Sequence, residues 1–60
     1  MKIQTFYDER SMQTFEVYVS NIVKLRATEH MGTEIYLSDS SVISSKQPIH
    51  VIKEVIDNAL

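Results

Sequence analysis

The sequence predicts a small α+β domain, an antiparallel sheet of four or five strands with one carboxyl-terminal helix packed on one face. Three observations support this class. Apolar and polar residues alternate through several short segments up to residue 43, which is typical of half-buried strands. From Pro48 onward the apolar spacing changes to about 3.6 residues, the period of a helix. With 43% hydrophobic residues, one Gly and one Pro, we expect one ordered domain over residues 1–60.

The first two strands are predicted at residues 1–7 and 12–19. The first alternates weakly and carries hydrophobic side chains on both faces, and the polar residues 8–11 suit a hairpin turn. Ser20 and Asn21 break the pattern after the second strand, because their side chains bond local backbone in turns. The second strand alternates cleanly, with its core face and its outer face formed respectively by Phe15, Val17 and Val19 and by Thr14, Glu16 and Tyr18.

A β-hairpin is predicted from Ile22 to Leu37, and its turn is Glu29-His30-Met31-Gly32. Alternation divides the hairpin into two faces. The predicted core face contains Val23, Leu25, Ala27, Ile35 and Leu37. The opposite face carries Lys24, Arg26, Thr28, Glu34, Tyr36 and Ser38.

A loop is predicted at residues 38–41, where short hydroxyl and carboxylate side chains can bond turn backbone. Val42 and Ile43 add one brief strand. A sheet in so small a domain exposes at least one edge, and neither the first strand nor the last carries a Pro to block pairing. Pairing of an edge with a second copy or with an extended peptide is therefore a plausible use.

The helix is predicted to start within two residues of Pro48, with Gln47 as its cap. Its apolar sector is about 180° wide, more than the roughly 100° that packing on one sheet requires. Two interpretations stay open, since part of the sector could meet a second subunit or the helix could lie deep across the domain's own sheet. The apolar half comprises Pro48, Ile49, Val51, Ile52, Val55, Ile56, Ala59 and Leu60.

Size and charge restrict the possible functions. A domain of 60 residues buries only about 60% of its unfolded surface, and without cysteine it has neither disulfides nor thiolate metal sites to stabilise it. Self-association or docking on a partner is the expected supplement. Six basic residues against eight acidic ones do not form the basic face of a protein that depends on phosphate attraction. No apolar run suits a membrane span or a signal peptide, which indicates a cytoplasmic location without membrane contact.

Catalytic chemistry finds little support in the residue types and their spacing. His30 and His50 are the only imidazoles, and we expect both to be solvated, one in the hairpin turn and one on the polar side of the helix. The serines after residue 37 lack the glycines of a phosphate cradle, so turn and cap chemistry explains them. The sequence therefore predicts a protein that is not an enzyme and uses no cofactor or metal.

The predicted site is the sheet face turned away from the helix. Its expected contact residues are Tyr18, Lys24, Arg26 and Tyr36, because Tyr and Arg concentrate binding energy in interfaces. The same residues could stack and pair with nucleic acid, although Glu16 and Glu34 between them would repel phosphate. The remaining alternative is a solvated face on which Glu16 or Glu34 pairs across strands with Lys24 or Arg26.

The apolar order from Phe15 onward is similar to that of a known group of proteins. The segments Ile22-x-x-Leu25-x-Ala27-Thr28 and Thr33-x-Ile35-x-Leu37, followed by a polar turn and a closing helix, resemble the small flagellar and swarming-motility proteins. They resemble more loosely the β-rich DNA-binding domain of LytTR-type response regulators. The first resemblance implies a sheet-plus-helix shape, and the second implies DNA binding, which the charge balance does not favour.

The sequence therefore predicts a small regulator or inhibitor of bacterial or phage type. It would act by binding another protein, as a homodimer. The alternative is a transcriptional regulator that binds nucleic acid through the same sheet face.

Overall fold

The computed structural model describes residues 2–59, which form five strands followed by one helix. The α+β class and the single carboxyl-terminal helix are confirmed. Met1, placed in the first predicted strand, and Leu60, placed in the helix, lie outside the described residues. In chain order the elements are β1 (Ile3–Asp8), β2 (Gln13–Tyr18), one 3-10 turn (Val19–Asn21), β3 (Ile22–Ala27), β4 (Thr33–Leu37), β5 (Val42–Ser45) and α1 (Ile49–Ala59).

The five strands form two antiparallel sheets, and the prediction of one continuous sheet was wrong. β1 pairs with β2, and β3, β4 and β5 form a second sheet with β4 at its centre. The chain turns a corner through the 3-10 turn between β2 and β3. At this corner the Val19 N–H donates to the Lys2 carbonyl at 2.9 Å and the Ser38 N–H donates to the Asn21 carbonyl at 2.8 Å. Because these bonds run to other segments, β2 and β3 diverge instead of pairing as a hairpin.

Asp8 joins the two sheets where β1 passes the end of β5. The Glu9 N–H donates to the Ser44 carbonyl at 2.8 Å, and the Ser44 N–H donates to Asp8 Oδ1 at 2.8 Å. Asp8 Oδ2 accepts bonds from the Ser11 hydroxyl at 2.7 Å and the Ser11 N–H at 3.2 Å. The sequence places Asp8 in the turn, but it is the buried last residue of β1. Its carboxylate accepts the bond from the Ser44 N–H that a backbone carbonyl would accept in a continuous sheet.

The core lies between the two sheets and α1. Its centre is Ile35 on β4, which is fully buried, and Ile52 is the buried residue of the helix. Burial of this apolar surface is the main stabilising contribution to so small a fold. The buried residues of the central cluster are Phe6, Ile35, Ile43 and Ile52, and the half-buried residues packed on them are Val17, Ile22, Leu25, Leu37, Val55 and Ile56. Val19, in the turn between β2 and β3, is also buried.

A β-bulge in β3 changes which residues face the core. Ile22 lies opposite Leu37 and Lys24 lies opposite Tyr36, so Val23 is an extra residue on β3. Val23, which was predicted to be in the core, is 63% exposed, and Ile22 packs on the core instead. Ala27 is also exposed at the end of the strand. The other predicted core positions of the hairpin are confirmed.

The helix begins where the sequence predicts, since α1 starts at Ile49. The Pro48 carbonyl accepts the first helical bonds, so Pro48 and not Gln47 holds the cap position. None of the described apolar residues of α1 is among the large exposed hydrophobic residues. The helix therefore packs on its own domain, with Ile52 buried and its other described apolar residues half-buried. Within residues 2–59, no helix is long and apolar enough to cross a membrane.

Candidate partner-binding site

Three of the four predicted contact residues lie together on the outer face of β3 and β4, within a group that we call the charged cluster: Lys24, Arg26, Glu34 and Tyr36. The strand register places Lys24 opposite Tyr36 and Arg26 opposite Glu34. Lys24 Nζ lies 5.1 Å from the centroid of the Tyr36 ring. Arg26 Nη1 lies 3.6 Å from Glu34 Oε1, and the Tyr36 hydroxyl donates to the same oxygen at 3.0 Å. These side chains are partners of one another.

The contacts within the charged cluster match the solvated-face alternative. The Tyr36 hydroxyl and the Glu34 carboxylate raise the pKa of the Arg26 guanidinium, which keeps it charged. The Arg26 side chain is nevertheless 66% exposed, and exposed ion pairs contribute little to stability or affinity. A partner that contacts this cluster would have to compete with bonds that are already formed.

Tyr18, the fourth predicted contact residue, lies on the other sheet. It is opposite Ile3 in the pairing of β1 with β2. The outer surface of these two strands, which we call the ribbon face, consists of Ile3, Thr5 and Tyr7 from β1 and Thr14, Glu16 and Tyr18 from β2. Ile3, Tyr7 and Tyr18 are 52%, 47% and 42% exposed. The ribbon face therefore presents three large apolar or aromatic side chains beside a single charge.

The ribbon face could not be recognised from the sequence. Alternation in residues 1–7 did place Ile3 and Tyr7 on one side, but both faces of that strand carry hydrophobic residues. The pairing became definite only with the turn at Glu9–Met12, where the Met12 N–H donates to the Asp8 carbonyl at 2.8 Å and Met12 has a φ of 59°. No sequence signal for this turn was available beyond its polarity.

A groove of about 390 Å³, which we call the β2 groove, lies between β2 and the β4–β5 hairpin. It continues into a depression of about 150 Å³ beside Tyr18 and Asn21. Phe15, predicted to be in the core, is 39% exposed at this groove. Apolar lining is supplied by Phe15, Val17, Leu37, Val42 and Ile43, and the charged and hydroxyl lining by Asp8, Ser11, Glu16, Asp39 and Ser41.

The charged side chains of the β2 groove are all acidic among the residues described. Hydrogen bonds from the Ser11 hydroxyl and the Ser44 N–H lower the pKa of Asp8 and outweigh the effect of burial. The Ser41 N–H, which donates to Asp39 Oδ1 at 2.9 Å, lowers the pKa of Asp39 in the same way. Both carboxylates are therefore negatively charged at neutral pH.

Neither histidine lines the ribbon face or the β2 groove, and His30 lies beside Arg26 and Glu34 of the charged cluster. His30 is exposed in the β3–β4 turn and His50 is exposed in the first turn of α1, so the predicted solvation of both is confirmed. Over the described part of the chain, no three His, Cys, Asp or Glu side chains come together as a metal site would need.

Comparison with known proteins leaves the geometry as the basis for assigning a function. The chain matches no protein-family model, no curated protein and no solved structure. The resemblance to motility proteins and to LytTR-type domains stays a prediction.

Proposed function

We propose that the chain is a cytoplasmic, non-enzymatic regulatory module that binds another protein and works as a homodimer. The homodimer part of this proposal rests on the ribbon face. Its exposed Ile3, Tyr7 and Tyr18 share one surface of a two-stranded sheet whose other surface packs on the core. Ile3 and Tyr18 are direct cross-strand neighbours, and adjoining exposed apolar groups mark interaction surfaces on small proteins.

The geometry of the ribbon face suits a protein interface. Directly opposed residues of antiparallel strands have Cβ atoms about 5 Å apart, which brings Ile3 and Tyr18 into one patch. Tyr7 lies about 13 Å from Ile3 along β1, at about 3.3 Å per residue. Tyr side chains bury a large area at low entropic cost and concentrate binding energy. Glu16 is the one charged residue on this face, so association would bury little charge.

The contacts within the charged cluster do not favour the nucleic-acid alternative. One face of the Tyr36 ring is covered by Lys24, and Glu34 neutralises Arg26. Base stacking and phosphate pairing would each require one of these contacts to break. The net charge of −2 gives no general attraction to phosphate. We therefore propose Tyr18 as a contact residue of the ribbon face. Lys24, Arg26 and Tyr36 form a separate surface on β3 and β4.

Light scattering coupled to size-exclusion chromatography tests the homodimer. We expect a mass about twice the 6.9 kDa of one chain at high micromolar concentration. The double variant Ile3→Ser, Tyr18→Ser should elute as a monomer with an unchanged circular dichroism spectrum, because both side chains lie outside the core.

Val23→Ser is the matched control, since Val23 is exposed at the β3 bulge and off the ribbon face. It should leave the dimer intact. A wild-type chain that is monomeric at high micromolar concentration would overturn the homodimer. A dimer lost through Val23→Ser and kept in the double variant would overturn the ribbon face as its interface.

A further inference from the structure

We infer that the β2 groove binds an extended segment of a partner protein, in which apolar side chains alternate with Lys or Arg, as a strand added to the outer edge of β2. This inference deepens the proposed function and rests on its claim that the module binds another protein. It does not depend on the homodimer, which uses the ribbon face.

The apolar lining of the β2 groove accounts for the apolar half of the ligand. Phe15 and Val17 project from β2 toward the core side, and Leu37 and Ile43 border the groove from β4 and β5. Phe15 keeps more than a third of its surface exposed there. A volume of about 390 Å³ is in the range of ligand sites, which run from about 300 to 1,000 Å³. The groove has room for a few aliphatic side chains.

The charges of the β2 groove account for the basic half. Asp8, Glu16 and Asp39 line it, and no Lys, Arg or His lines it in the chain as described. The two described ion pairs, Arg26–Glu34 and Lys46–Glu9, involve other residues. The carboxylates of Asp8 and Asp39 give this side of the groove negative charge, so a cationic segment is attracted to it and an acidic one is repelled.

The outer edge of β2 explains why the bound partner segment should be extended. The Val19 N–H donates to the Lys2 carbonyl at 2.9 Å, so these two residues face each other as a hydrogen-bonded pair. Hydrogen-bonded and non-hydrogen-bonded pairs alternate along an antiparallel ladder, and therefore the N–H and C=O groups of Thr14, Glu16 and Tyr18 point away from β1. In residues 2–59 no backbone bond beyond the β1–β2 ladder reaches these three residues. Unpaired strand edges bind extended peptides through their backbones.

A second copy is a poorer occupant than a basic segment. Two chains that paired through their β2 edges would bring two acidic grooves together, and like charges in close contact are unfavourable. β1 and β5, whose open edges the sequence predicts, are joined at one end by the bond from the Glu9 N–H to the Ser44 carbonyl. The outer edge of β2 is thus the one that adjoins a groove of complementary chemistry.

Fluorescence anisotropy with a defined probe tests the inference. The probe is a labelled peptide of about eight residues, alternating Val and Lys, which matches the usual length of a strand. We expect saturable binding to the full chain. The same peptide with Glu in place of Lys, and the same peptide with alternate backbone nitrogens methylated, should each bind at least about tenfold more weakly.

Charge variants of the protein locate the binding. Asp39→Lys, at a position off the ribbon face, should weaken binding of the Val-Lys peptide by at least about threefold. The matched control is Asp57→Lys, because Asp57 is exposed on α1. This control should change the affinity less than about twofold. Amide chemical shifts should change on peptide addition at Phe15–Tyr18 and stay unchanged in the charged cluster.

Three results would overturn the inference: no binding at low salt, equal loss in the α1 control, or shift changes centred on the charged cluster. In the Ile3→Ser, Tyr18→Ser variant, whose ribbon face no longer associates, concentration-dependent shifts at residues 15–17 without peptide would show that a second copy occupies the edge, which also overturns it. A monomer that binds the peptide refutes only the homodimer. A dimer that fails to bind it refutes only the β2 groove.

Discussion

β4 and β2 alternate equally clearly in sequence, yet they have opposite environments in the fold. β4 is paired on both sides and contains the fully buried Thr33 and Ile35. β2 is paired on one side, and none of its residues is fully buried. Alternation therefore identifies a strand but not its position in a sheet. The difference suggests that β4 mainly stabilises the fold while β2 is available for binding.

Truncation of Ile35 should give the largest loss of stability, and comparing it with truncation of Phe15 tests whether β4 and β2 contribute differently to the fold. Ile35→Ala should lower the free energy of unfolding by about 2–5 kcal/mol, the usual cost of removing a buried aliphatic side chain. Phe15→Ala on β2 should cost about 1 kcal/mol, because the ring is partly solvated. Urea unfolding followed by circular dichroism measures both.

Ile35→Val provides a milder variant, since the larger truncation could unfold so small a domain. It should cost about 0.5–1.5 kcal/mol. Equal losses from Ile35→Val and Phe15→Ala would show that β2 contributes to the core as much as β4 does.

Asp8 tests the connection between the two sheets. Its pKa is lowered from 3.8 in the folded chain, so its ionised form stabilises the fold. This contribution is fully present above the unfolded value of about 4 and is lost as the pH falls through the lower folded pKa. Asp8→Asn should therefore be less stable than the wild type at pH 7, and this gap should shrink on acidification.

Asp39→Asn is the control for Asp8, because Asp39 also has a lowered pKa but, among residues 2–59, its carboxylate accepts a bond from its own turn and none from another element. It should cost less stability at pH 7 than Asp8→Asn. Thermal unfolding at a series of pH values measures both variants. Parallel pH curves for the wild type and Asp8→Asn would mean that the carboxylate does not join the sheets electrostatically.

The β3–β4 turn contains two neighbouring residues whose substitution should have opposite effects on stability. A Cβ on Gly32 would lie 2.6 Å from the Ser45 carbonyl oxygen and 3.2 Å from Thr28 Oγ1, so Gly32→Ala should destabilise the fold by about 1–3 kcal/mol. Met31 has the left-handed φ of 63°. Met31→Gly should be neutral or stabilising by up to about 1 kcal/mol. Chemical denaturation should thus show changes in the free energy of unfolding that have opposite signs, or clearly unequal sizes, in the two variants.

The turn between β1 and β2 provides a second test of how tightly the β3–β4 turn is packed. Met12 has a φ of 59° and is 74% exposed, so Met12→Gly should behave like Met31→Gly. A stability loss in Gly32→Ala no greater than that in Met12→Gly would argue against tight packing of the β3–β4 turn on β5.

The candidate site was predictable only in part. The charged cluster followed from alternation, because cross-strand neighbours on one face are set by the hairpin register near its turn. Tyr18 was predicted as a contact residue, but its neighbour Ile3 and the acidic β2 groove were not. These depend on contacts such as that between Asp8 and Ser44, which are 36 residues apart in sequence.

The sequence by itself determined the α+β class, the β3–β4 hairpin and the helix after Pro48, because alternation, turn chemistry and helical periodicity act over a few residues. Tertiary structure decided the division into two sheets, the bulge at Val23 and the groove beside β2. The break at Ser20 and Asn21 was visible in the sequence, but its direction depends on hydrogen bonds to Lys2 and Ser38. Those partners are distant in the chain, so only the folded arrangement made β2 an open edge.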